Sequence, residues 1–91
     1  MNHSYNALVA IQQKYPQGIP NVAKLSDEQK AWLVIKIQTI AQGLKTKKEL
    51  VELKKMGERL LHATEDIPNK ELQKMLTFIF TNIETIKKNI S

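Results

Sequence analysis

Ninety-one residues, 42% hydrophobic and without cysteine, set the first limits. The length predicts one domain, residues 1–91, burying roughly 60–65% of the surface its unfolded chain exposes. Packed apolar side chains rather than disulfides must then hold it, and the lack of cysteine fits a reducing compartment. The net charge of +5 rests on thirteen lysines and a single arginine, Arg59; that favours anionic partners but supplies almost none of the planar guanidinium forks on which base-specific DNA reading leans.

The amino terminus, Met1-Asn2-His3-Ser4-Tyr5, has neither the charged nor the apolar segment of a secretory leader. No apolar run approaches the ~18 residues of a membrane span. A cytoplasmic location is expected. A composition rich in lysine, isoleucine and asparagine is what AT-rich coding sequences give, and it points towards a low-GC bacterium or its mobile elements.

The first periodic segment runs from about Tyr5 to Tyr15, with Ser4 as expected N-cap. Tyr5, Leu8, Val9, Gln12 and Tyr15 share one face of a short amphipathic helix. Pro16, Gly18 and Pro20 stop it, because proline lacks the backbone donor and disfavours helix in the residue before it. The following loop, to about Leu25, is long for a connection between packed helices. Ile19, Val22 and Leu25 predict that it packs over the helices.

A second helix opens with the capping box Ser26-Asp27-Glu28-Gln29 and continues to about Gln42. Leu33, Ile37, Ile40 and Leu44 form its stripe. Trp32, Val34, Ile35 and Ala41 make it apolar on most sides, the pattern of a central helix. Gly43 is expected to end it in the left-handed conformation. Thr46-Lys47-Lys48-Glu49 forms a second capping box after a very short turn, which makes helices two and three antiparallel neighbours. The third stripe is Leu50, Leu53, Gly57, Leu60 and Leu61, with Gly57 allowing close helix approach. After Asp66-Ile67-Pro68-Asn69, where Pro68 suits the first helical position or Asn69 caps, the last helix repeats Leu72, Met75, Leu76, Ile79, Ile83, Ile86 and Ile90 at spacings of three and four. The expected fold is therefore all-α: an antiparallel four-helix bundle with a short first helix and a long first loop.

No catalytic constellation accompanies this pattern. His3 and His62 are isolated, and His62 near the end of the third helix suits the helix dipole. Glu65 and Asp66 are adjacent acids at the opening of a helix, with no histidine at a metal-ligand spacing and no glycine-rich phosphate loop nearby. The expectation is a binding protein, not an enzyme, with no cofactor, metal or small-molecule substrate.

Two features are candidates for binding. Lys45, Lys47, Lys48, Lys54 and Lys55 form a basic cluster. With Glu49, Glu52 and Glu58 interspersed it is either a solvated helix surface laced with i,i+3 and i,i+4 pairs or an anion-docking site centred on Lys45, Lys47 and Lys48. The second feature is aromatic. Phe78 sits about 120° and Phe80 about 80° from the centre of the last helix's stripe at 100° per residue, and Trp32 and Ile35 are displaced on the second helix. Either these helices bury two sides, or the aromatics mark a partner site. Phe78 is the one expected to be exposed first.

The run Leu60-Leu61-His62-Ala63-Thr64-Glu65-Asp66-Ile67-Pro68-Asn69-Lys70-Glu71-Leu72-Gln73-Lys74-Met75-Leu76 ends one helix, makes a short acidic Ile-Pro turn and starts a Lys/Glu/Leu-rich helix. Together with the small basic helical chain, it resembles the immunity proteins that protect producers of pediocin-like bacteriocins. The resemblance implies a cytoplasmic antiparallel four-helix bundle, peripheral at the inner face of the membrane, whose partner is a membrane sugar permease of the mannose phosphotransferase type with bound bacteriocin. Protection would follow from occlusion of that receptor, with Lys45, Lys47, Lys48, Lys54, Lys55, Trp32 and Phe78 as candidate contacts. Two alternatives share the scaffold: a phage- or plasmid-type regulatory protein that binds nucleic acid, for which the two capped helices around Gly43 give a superficial helix-turn-helix, and an inhibitor of a partner protein.

Overall fold

A computed structural model describes residues 2–45, 47–61 and 69–90. They form five α-helices and one 3₁₀ turn, with no strand among them: α1 (His3–Lys14), the 3₁₀ turn (Val22–Lys24), α2 (Asp27–Gln42), α3 (Lys48–Leu61), α4 (Asn69–Thr81) and α5 (Ile83–Asn89). The all-helical expectation is met. The expected count of four is corrected to five, because the last periodic segment breaks at Asn82. There the Phe78 carbonyl accepts from both the Asn82 backbone N–H and its side-chain Nδ2, each at 3.0 Å. Asparagine's ability to bond its own local backbone makes it a natural interruption of a helix.

α1 and α2 are antiparallel, since Ser4 meets Thr39 and Gly43 while Tyr15 meets Trp32. α1 starts earlier than expected, because Asn2 rather than Ser4 caps it by accepting from the Tyr5 N–H at 3.0 Å. Ser4 is instead buried, and its Oγ donates to the Thr39 carbonyl at 2.7 Å. The last turn of α2 tightens, with Gly43 N–H bonding to Ile40 O and Leu44 N–H to Ala41 O. That tightening frees the Thr39 carbonyl, and a hydroxyl from the neighbouring helix satisfies it.

Gly43 does not take the expected left-handed conformation; its φ is −86°. Its lack of a side chain matters for space, because a Cβ there would collide with Cβ and Oγ of Ser4. Gly57 fulfils its expected role: a Cβ would lie 3.1 Å from the Ala41 Cβ, so α3 sits closely against α2. The Ser26–Gln29 capping box forms in both directions, at 2.9 and 3.1 Å. The Thr46 cap, His62, the Glu65–Asp66 pair and Pro68 lie outside the described residues.

The core joins Leu8 and Ile11 of α1, Leu33, Ile37 and Ile40 of α2, Leu50 and Leu53 of α3, Leu72, Met75, Leu76 and Ile79 of α4, and Ile86 of α5. The first loop closes over it through Val22, which is buried and whose N–H donates to Gln73 Oε1 of α4 at 3.1 Å. Leu25 packs on the core, but Ile19 is 40% exposed, contrary to expectation. Leu61 is likewise corrected from stripe to surface, at 55% exposure, because it lies about 60° round α3 from the centre of the Leu50, Leu53, Gly57 and Leu60 face. At the far end Leu44 and Ile90 pair in an isolated antiparallel bridge that ties the end of α5 to the α2–α3 link.

Crowding and backbone strain separate two glycines. Gly18 has φ +117° with open space around it, so Gly18→Ala loses stability through its backbone alone. Gly43→Ala is expected to cost about 1–3 kcal/mol by overpacking, read as a lower urea midpoint at unchanged slope. In a Ser4→Gly background that cost should shrink for Gly43→Ala and persist for Gly18→Ala; a Gly43→Ala cost that Ser4→Gly leaves untouched would refute the crowding account.

Candidate functional site

The α3 and α4 backbones stay further apart than those of the α1–α2 and α2–α3 pairs. The two helices are linked at one end by Arg59 and Glu71, whose Nη2 and Oε1 lie 3.5 Å apart. Towards the other end the gap between them is an open groove made of two adjoining hollows of about 330 and 410 Å³. Met56 of α3 and Phe78 and Lys74 of α4 line both. Lys48, Glu49 and Glu52 edge one hollow; Thr77, Thr81 and Asn82 edge the other. Met56 and Phe78 are half-buried and pack their inner sides on the core. The floor is thus apolar and adaptable, since an unbranched thioether fits varied shapes, while the rim carries charges of both signs. That is the form of a groove that accepts an amphipathic segment.

Phe78 lines the open groove with Met56, but it is not the exposed aromatic expected, since it is half-buried and packs on the core. The apolar side chain most exposed on α2 is Ile35, at 57%. Phe80 is half-buried and packs on the core.

The five lysines of the expected basic cluster do not form one site. Lys48 lines the groove. Lys54 lies beside Gln38, Gln42 and Gly57 along the α2–α3 seam, and Lys55 lines a further open hollow on α3 with Glu52, Met56, Glu58 and Arg59. Lys45 and Lys47 are exposed on the α2–α3 link. Lys47 adopts φ +64°, a left-handed conformation that costs a non-glycine residue roughly 1–2 kcal/mol.

Trp32 sits elsewhere, on the α1–α2 side. Tyr15 meets it edge-on with ring centroids 6.4 Å apart, Lys14 Nζ lies 4.4 Å and Lys36 Nζ 5.6 Å from the centre of its ring. Two ammonium groups near one indole are cation–π contacts. The half-buried indole is a packing element between α1 and α2.

Met56 and Lys74 are groove residues that the sequence reading does not single out. Their signal is present but faint: Lys74 precedes Phe78 by four positions and so shares its face, and Met56 flanks the Leu53–Leu60 edge of α3's stripe. Among the described residues, no three His, Asp or Glu side chains converge as metal ligands, and no helix is long and apolar enough to cross a membrane. Comparison of the chain with protein-family models, with curated proteins and with solved structures finds no match.

The Tyr15 hydroxyl is buried with no hydrogen-bond partner among the described residues. A buried unsatisfied polar group costs about 1–3 kcal/mol. Tyr15→Phe should consequently leave thermal stability unchanged or raise it while keeping the edge-on packing on Trp32; a fall in the melting temperature would show that the hydroxyl has a partner.

Proposed function

We propose that this chain is a binding protein of the bacteriocin-immunity type, which seats a helical segment of its partner in the groove between α3 and α4. The observation that carries the reading is the groove itself: Met56 and Phe78 at its floor, Lys48 and Lys74 at its rim. A half-desolvated aromatic beside a flexible methionine gives affinity, and the lysines orient an acidic or mixed-charge partner. In this reading the helices act as a four-helix bundle whose last member is broken at Asn82, on the cytoplasmic side of the membrane. The partner is a membrane sugar permease engaged by a pediocin-like bacteriocin, and binding occludes it without any chemical step or cofactor. The nucleic-acid alternative is weakened because the chain has a single arginine, Arg59, and so almost none of the guanidinium forks that read guanine edges.

The test is protection of a bacteriocin-sensitive host that expresses the chain. Survival on challenge with a pediocin-like peptide is expected for the unaltered protein and for Ile35→Ser, which changes an exposed apolar residue outside the groove. Lys48→Glu with Lys74→Glu, which leaves the core intact, should abolish survival, and Phe78→Ser should do the same. An unaltered chain that confers no survival, or a double variant that protects fully, would overturn the assignment.

A further inference from the structure

We propose that the end of the molecule where α2 finishes, α3 starts and α5 finishes is a docking surface for an anionic lipid membrane. The sequence shows only the three lysines Lys45, Lys47 and Lys48. The Leu44–Ile90 bridge adds the last turn of α5, with Lys87 and Lys88, to the same end. Five lysines then stand with two carboxylates, Glu49 and Glu84, while the other nine cations of the chain are set against seven acids. Lys87 is partly neutralised by Glu84, 4.0 Å away. Lys45, Lys47, Lys48 and Lys88 are exposed.

The kind of partner follows from what accompanies the charge. Leu44, 3% exposed, and Ile90, half-buried on the core cluster, are turned inward, while Tyr5, in the first turn of α1 at the same end, is 42% exposed; a tyrosine is at home at a membrane–water interface. A layer of lipid phosphates needs only positive charge within a Debye length of its plane. The cations are all lysines, compact and strongly hydrated, which attract a diffuse negative surface without the bidentate geometry that reads nucleic-acid bases. Attachment through lysines is peripheral and reversed by salt.

This surface borders the α3–α4 groove at Lys48 and Glu49, so its test uses vesicles that contain no protein and variants that leave the groove residues unchanged. Sedimentation of the full chain with vesicles of phosphatidylcholine plus phosphatidylglycerol is expected at low salt and is lost at high salt, with no sedimentation on pure phosphatidylcholine. Each lysine near such a surface is worth about a fivefold change in partitioning, so the triple variant Lys45→Gln, Lys47→Gln, Lys88→Gln should bind roughly a hundredfold more weakly. The charge-matched control Lys24→Gln, Lys30→Gln, Lys70→Gln alters the other end and should bind nearly as the unaltered chain does. Equal losses in the two triples would reduce the effect to net charge and overturn the proposal. Failure to bind the acidic vesicles would also overturn it, as would stronger retention on a DNA duplex than on the vesicles.

Discussion

The last two turns of α2 are approached closely on two sides, and this closeness governs the arrangement around them. On one side Ser4 fits against the bare backbone of Gly43 and closes the Thr39 carbonyl; on the other Gly57 brings α3 against Ala41. Each contact lets two backbones come together where side chains would otherwise hold them apart. Leu8 and Ile11 from one side and Leu50 and Leu53 from the other can then join Leu33, Ile37 and Ile40 in one buried cluster, packed as protein interiors are. α4 has no glycine at such a position. It joins through Leu72, Met75, Leu76 and Ile79, whose length sets a wider spacing from α3, and the groove is the space that this difference leaves.

The break at Asn82 then decides where the charge goes. Beyond the break, α5 buries Ile86 and reaches the α2–α3 link through the Leu44–Ile90 bridge. Tyr15, Trp32, Lys14 and Lys36 bind α1 to the first half of α2, while Lys45, Lys47, Lys48 and Lys88 stand exposed beyond its second half.

Much of this fold is legible in the sequence, for identifiable reasons. The Ser26–Gln29 box and the three-and-four spacing of Leu72 through Ile79 are local signals, and local hydrogen bonds and burial follow from them. Gly57 is legible because a glycine inside a buried stripe has little purpose except close packing. Gly43 misleads: past the end of a helix the usual role of glycine is conformational, and only the position of Ser4, 39 residues earlier, makes its role steric. The split at Asn82 is hidden because the isoleucine period runs through it undisturbed. The site is legible only in part. Phe78 and Lys48 can be nominated from their own helices, but the groove depends on how far apart α3 and α4 stand, a property of the pair that neither stripe encodes. The five-lysine cluster likewise dissolves, since Lys54 and Lys55 turn to different sides of one helix.

The bridge between Leu44 and Ile90 also makes this molecule's response to ionic strength uneven along its length. Folding brings Lys87 and Lys88 towards Lys45, Lys47 and Lys48, and Lys47 and Lys48 already stand at the N-terminal, positive end of the α3 dipole. Their mutual repulsion opposes closure of the bridge. The opposite end is held in part by attraction between Arg59 and Glu71. α2, at 16 residues, spans about 24 Å, more than two Debye lengths at ~0.1 M salt, so the two ends are screened independently. Added salt tightens the lysine end by muting repulsion and loosens the other by muting attraction. Ionic strength therefore acts with opposite sign on the charge pairs at the two ends of the molecule.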